Sequence, residues 1–199
     1  MTNDAMNTPW PQWLIDSFVS ANQRKFQLTG DQNEYYGPYT RLLYYLFGVD
    51  SPFEINPRYH IPRTPCDMVD VVALFTVEFN KHPVFFIQVK PPAYYSRIVH
   101  MRKQADEQLR DHFSDLRHNL VTPRLPGISA FGTRMAFYEY VTATNTLTPH
   151  AIFQPTYDPI SIEKATADRW SYDVLEANGT AQMRKVVEDV KAMCQALNN

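Results

Sequence analysis

Apolar positions along the chain fall into two alternating periods. From Glu34 to Phe47 they recur every three or four residues: Tyr35/Tyr36, Tyr39, Leu42/Leu43 and Leu46/Phe47. That spacing predicts an amphipathic helix, with Gly37-Pro38 in its first turn and Gly48 ending it. A shorter helix is predicted over 10–22, from Trp10, Trp13, Leu14, Phe18 and Val19. The stretch from Asp70 to Lys90, DVVALFTVEFNKHPVFFIQVK, changes character. Two runs rich in Phe, Val and Ile flank the polar Asn80-Lys81-His82-Pro83, which predicts a hairpin of buried strands. Phe53 to Tyr59 precedes it as a short strand with Pro57 at an edge or an end.

After Pro91-Pro92 the helical period returns over Ser96 to His118, with Ile98, Met101, Ala105, Leu109, Phe113 and Leu116 on one face. Gly127–Phe131 and Arg134–Val141 flank Gly132-Thr133, a second tight hairpin. One more short strand is expected in Leu147–Tyr157 at Ala151-Ile152-Phe153, and a helical turn or two over Trp170 to Leu175, closed by Asn178-Gly179. A final helix beginning about Thr180 carries Met183, Val186/Val187, Val190, Met193/Cys194 and Leu197. The order helix, three strands, long helix, strand defines an α/β chain with a mixed sheet. The expected organisation is a single domain over 1–199, with a core about 31–141 and a helical extension about 168–197.

Composition narrows the chemistry. The 199 residues are 44% hydrophobic and 20% charged, with a net charge of -2, so no global basic field attracts a polyanion and nucleic-acid contact must be local. Two distant cysteines, Cys66 and Cys194, give neither a zinc knuckle nor a disulfide framework. No basic-then-apolar leader opens the sequence and no apolar run approaches roughly 18 residues, so a soluble, intracellular protein with no membrane contact is expected. Ser129 lies in GISAFG, not in a GxSxG elbow, so serine-hydrolase chemistry has little support.

The polar ends of the first hairpin stand out. In an antiparallel pair, Asp70 at the start of one arm lies beside Gln88 and Lys90 at the end of the other, and Gln88 and Lys90 share a face. An idle cross-strand ion pair would explain Asp70 and Lys90, and a helix N-terminal charge would explain Glu34.

Set in the order of elements, this cluster resembles the PD-(D/E)XK nuclease superfamily. That family places an Asp at the start of the second strand of a helix, three-strand, helix, strand core, and a Glu-, Asp- or Gln-X-Lys on the third. Asp70 matches the Asp, Gln88-Val89-Lys90 the third-strand motif, and Glu34 the acid on the first core helix. The segments EYYGPYTRLLYYLF, VDVVALFTVE, PVFFIQVKPP and GISAFGTRMAFYEY together also resemble a group of uncharacterised fungal proteins. The superfamily resemblance implies a restriction-endonuclease-like core and metal-dependent phosphodiester hydrolysis of DNA or RNA. It makes Asp70, Gln88 and Glu34 the ligands of Mg²⁺ or Mn²⁺ and Lys90 the group that orients water or stabilises phosphorane charge. Gln88 stands where a carboxylate is commoner, so a weakened or inactive module that binds nucleic acid or protein is the alternative. The nucleic-acid-binding candidates are Arg97, Arg102, Lys103, Gln108 and Arg110, with Arg117 and the stacking rings Tyr94 and Tyr95 beside them. Gln108 is also placed to brace the site. Acids interspersed among those basic residues are equally the pattern of a solvated helix face.

Overall fold

The computed structural model describes residues 8–24, 34–60, 72–92, 99–152 and 168–197. In chain order these form α1 (Gln12–Arg24), α2 (Tyr36–Phe47), β1 (Phe53–His60), β2 (Val72–Phe79), β3 (His82–Lys90), α3 (Val99–Leu116) and a 3-10 turn (Arg117–Asn119). There follow β4 (Arg124–Phe131), β5 (Arg134–Val141), β6 (Thr146–Thr148), β7 (Tyr172–Asp173) and α4 (Ala177–Ala196). The seven strands make one mixed sheet in the order β1-β2-β3-β4-β5-β6, with β7 beside the start of β5. Only the β3–β4 pair is parallel, because α3 carries the chain back across the sheet between them. The α/β class with a mixed sheet is therefore as the sequence predicts.

The hairpin at the centre is closed by Asn80 and Lys81, both with positive φ (50° and 67°), the twist that suits a two-residue connection between right-twisted strands. Glu54 anchors Lys81 from β1 through a 2.6 Å ion pair. The register slips between Val77 and Glu78, opposite Pro83, which has no N–H to give the ladder.

Side-chain alternation sorts the sheet into two faces. Phe75, Val77, Phe85, Ile87, Val89, Ile128, Ala130 and Met135 point to one side, where α1, α2 and α4 supply Leu14, Phe18, Tyr39, Leu42, Leu43, Met183, Val187 and Val190. Phe86, Phe131, Ala136 and Tyr138 point to the other, beneath Ala105, Leu109 and Phe113 of α3 and beside Trp170. From Pro83 onward every residue of β3 is buried, since helices cover both sides of it.

Three sequence expectations need correction. The short strand expected at Ala151-Ile152-Phe153 is instead Thr146–Thr148; Pro149, which cannot donate, ends it, and Phe153 lies outside the described residues. The segment Trp170–Leu175 is not a pair of helical turns: Tyr172 and Asp173 pair with Met135 and Arg134, and this edge hydrogen bonding outweighs local helical spacing. Asn178-Gly179 does not close an element but lies in the first turn of α4, which starts at Ala177. Gly179 is required there by contact, because a methyl group on it would overlap the carbonyl oxygen of Asp173. The helix caps proposed at Asp31 or Asn33 lie outside the described residues.

Two predictions follow from this packing. Gly179→Ala forces β7 away from α4 and should cost about 1–3 kcal/mol in urea unfolding, the usual range for overpacking. The second concerns alkaline pH. Burial, reinforced by the Asp173 charge, pushes the Tyr35 phenol up to about 12 and Tyr39 well above its ordinary 10.0. Burial alone pushes the Cys194 thiol from 9.0 up to about 11. Each group keeps its proton in the native state after the unfolded chain has lost it, so stability is intact below about pH 9 and falls as pH rises from there through about 12. Urea melts across that window should show the decline, and Cys194→Ala should delay its onset.

Candidate functional site

β3 delivers Gln88 and Lys90 to the α3 face of the sheet, as strand alternation requires. Both are enclosed, with 0% and 1% of their surfaces exposed. Register places Gln88 in a row running Leu74, Gln88, Ser129, Ala136 across β2 to β5. Lys90 lies in the next row, beside Phe131. Above the first row, Gln108 of α3 accepts a 3.2 Å hydrogen bond from Gln88 Nε2 through its Oε1. That bond fixes the amide with its oxygen turned elsewhere. Gln88 Oε1 is buried and has no hydrogen-bond partner among the described residues, and Ser129 Oγ is in the same condition. A buried polar atom without a partner is costly, so two in one row mark the seam between β3, β4 and α3 as a place of chemical interest.

Glu34 lies just before Tyr35, the N-cap residue of α2, and is partly buried. The α2 start is docked on the end of β3 through the β4–β5 turn. Gly132, with φ 61°, donates its N–H to the Lys90 carbonyl at 2.9 Å. Its own carbonyl accepts from the Tyr39 hydroxyl at 2.8 Å. A methyl group on Gly132 would come within 3.1 Å of Tyr35 Cζ, so the residue after Glu34 packs on that same turn. Glu34 and Lys90 thus belong to one end of the sheet. Asp70 lies outside the described residues, as do Arg97, Tyr94 and Tyr95. Among the described residues, no group of three or more His, Cys, Asp and Glu side chains is assembled for a metal.

The basic residues of α3 do not form an exposed stripe. Arg102 is buried, with 6% of its surface exposed. Arg110 turns inward to Asp106 and to the Pro149 carbonyl, 2.6 Å from its Nη2. Lys103 pairs with Glu107 at 3.5 Å, one turn along, leaving Arg117 exposed beyond the helix. Gln108 faces Gln88, which is the bracing position.

The residue that sequence reasoning undervalued is Asp106, grouped there with solvated charges. It is 1% exposed and receives four groups: Arg110 Nε at 2.8 Å, Arg169 Nη1 at 2.8 Å, the Tyr138 hydroxyl at 2.8 Å and the Ile152 N–H at 3.3 Å. Burial, and then the neighbouring Asp106 charge, hold the Tyr138 phenol far above its ordinary value, so it stays a donor. The hub binds α3 to β5, to the segment after β6 and to the segment before β7. The available signal was helical: Arg102, Asp106, Leu109 and Phe113 recur at the spacing of a single face, and that face is the inward one.

Searches against family models, curated proteins and solved structures find no match for the chain. The described helices include none long and apolar enough to cross a membrane.

Removing the Asp106 carboxylate leaves the largely buried guanidinium groups of Arg110 and Arg169 without their shared counter-charge. Asp106→Ala should therefore destabilise the fold by about 3–5 kcal/mol, as breaking a buried pair does. Urea unfolding monitored by tryptophan fluorescence checks this; a change under about 1 kcal/mol would mean the hub is solvated in solution.

Proposed function

We propose that the protein is a metal-dependent nuclease that hydrolyses phosphodiester bonds in DNA or RNA, built on a restriction-endonuclease-like core. The observation carrying the reading is Gln88, whose buried amide oxygen is left free for a ligand while Gln108 holds its nitrogen. The element order supports it too: α2, then β1-β2-β3 as an antiparallel meander, then α3 and a parallel β4. This is the order that the resemblance to PD-(D/E)XK nucleases implies.

An oriented amide oxygen fits a hard cation such as Mg²⁺ or Mn²⁺, which prefers oxygen donors. Gln88 Oε1 would hold it together with the carboxylates of Asp70 and Glu34. When bound, such an ion neutralises charge on the phosphate and makes water a better nucleophile. The part of Lys90 is electrostatic: an ammonium in a nearly water-free setting orients the attacking water and stabilises charge building on the phosphorane oxygens. Gln108 acts through Gln88, as outer partners of metal ligands do.

A second reading has its own support. Gln88 is neutral where those nucleases more often carry a carboxylate, and the net charge of the chain is -2. These features suit a module that keeps the fold and binds nucleic acid or a protein partner without cleaving.

Cleavage of single- and double-stranded DNA and RNA with Mg²⁺ or Mn²⁺ separates the two. The nuclease reading expects metal-dependent cleavage that Asp70→Ala and Lys90→Ala each lower by about 10²–10³-fold, the usual loss for one transition-state contact. Cleavage that survives both substitutions would sink the assignment. Activity appearing only in Gln88→Glu would identify a disarmed nuclease.

A further inference from the structure

The outer side of the layer formed by α1, α2 and α4 carries rings that the core does not use. Trp13 of α1 and Tyr45 of α2 are each 42% exposed and belong to neither core cluster, although their sequence neighbours Leu14 and Leu46 are buried. The two rings meet edge to face at 5.8 Å between centroids, and Tyr45 meets Trp10 in the same way at 6.1 Å. Trp10 roots the group in the interior, donating its indole N–H to the Val174 carbonyl at 2.6 Å. A guanidinium stands at each end. Arg41 of α2 lies 4.8 Å from the centre of the Trp13 ring, and Arg184 of α4 lies 4.3 Å from that of Trp10. A strip thus crosses three helices in the order Arg41, Trp13, Tyr45, Trp10, Arg184.

Both cations are engaged by rings and not by acids. Among the described residues neither Arg41 nor Arg184 has an ion-pair partner, and Arg41 makes no hydrogen bond. Arg184 donates from Nη2 to the Thr8 carbonyl at 3.3 Å, while its buried Nε has no partner. A guanidinium stacked by its face keeps in-plane N–H donors for a carboxylate, which it holds in a fork. Between the two charges lie exposed rings, and Trp, Tyr and Arg are the side chains that dominate binding energy where proteins meet. A nucleic-acid strand is the poorer complement. Its phosphates continue past so short a strip, and Asp16, three residues along α1 from Trp13, and Asp50, beyond the end of α2, are exposed acids that repel them. The strip also lies across the sheet from α3, on the side away from Gln88 and Lys90.

We propose that this strip is a docking surface for a protein partner that presents a short acidic segment with apolar side chains between its carboxylates. The apolar side chains pack on Trp13 and Tyr45, and the carboxylates meet the free edges of Arg41 and Arg184. The inference is independent of the nuclease reading, since it uses none of the residues of that site.

The test is fluorescence anisotropy of three labelled probes with the full chain. One is a peptide with a Leu-Phe pair between two glutamates on each side, one is its lysine counterpart, and one is a short oligothymidylate. The expected result is binding of the acidic peptide alone, weakened by salt. Trp13→Ala and Arg41→Ala should each weaken it by about 5–30-fold, the range from a contributing residue to a hot spot. Arg41→Lys should not restore it, because an ammonium cannot stack and fork at once. Arg41 is exposed, so Arg41→Ala should melt as the wild type does and keeps the test decisive if Trp13→Ala loses stability. Equal binding of the acidic and lysine peptides, no binding of the acidic peptide by the wild-type chain, or binding unchanged in Arg41→Ala overturns the proposal. Preferred binding of the oligothymidylate that is lost in Trp13→Ala and Arg41→Ala assigns the strip to single-stranded nucleic acid and overturns it as well.

Discussion

A strand covered on both faces cannot carry polar side chains cheaply, and β3 carries two. From Pro83 to Lys90 no residue of it reaches solvent, because three helices lie against one face and α3 against the other. Six of those positions are spent on Val84, Phe85, Phe86, Ile87 and Val89 with Pro83, which hold the layers together by apolar burial. Gln88 and Lys90 interrupt that run, on the α3 side and at the strand's C-terminal end. Everything distinctive in the molecule answers that interruption: the facing Gln108, the row partner Ser129, and the β4–β5 turn that ties Lys90 to the start of α2.

For those answers to hold, α3 must sit at a fixed height over the sheet. Its apolar face is modest, contributing Ala105, Leu109 and Phe113 to the cluster beneath it. The Asp106 hub supplies the rest of the attachment, pinning the helix to Tyr138 of β5 and, through Arg110 and Arg169, to the carbonyls of Pro149 and His150. A buried carboxylate is tolerated there because two guanidinium groups and two further donors share its charge. Gln108 lies two residues from Asp106 on the same helix. The hub therefore fixes the distance at which Gln108 meets Gln88, and the stability of the fold and the geometry of the candidate site depend on one set of bonds.

This division of labour explains what could be read from sequence. The helix over Tyr36–Phe47 and the hairpin of β2 and β3 announced themselves, because dense apolar periodicity has one solution when both faces are covered. Gln88 and Lys90 were legible for the same reason: they break a run that otherwise has no polar member. The 172–173 strand was not legible, since its partners, Arg134 and Met135, are nearly forty positions away and two residues carry no period. Asp106 was hidden by its neighbours. Asp111 and Asp115 are exposed acids on the same helix, and only the position of the helix over the sheet separates them from the buried one. Arg110 was hidden in the same way, because a guanidinium that pairs with an interior carboxylate and one that meets solvent look alike in a list of charges.

Position 88 is neutral, and the consequences of that are physical. With an amide at position 88, the oxygens buried in the seam bring dipoles but no charge. Burying a carboxylate there would have demanded a compensating cation at all times, because an unpaired anion in so enclosed a place is far costlier than an unpaired amide oxygen. With Gln88 and Ser129, the facing positions of β3 and β4 carry no charge, and β3 itself holds no acidic residue. In the nuclease reading, affinity for an ion would then depend on the carboxylates of Asp70 and Glu34 and on the substrate's own phosphate oxygens. The ion and the substrate would bind together, and a chain with a net charge of -2 would acquire its attraction for a polyanion at the place where the bond is to be broken.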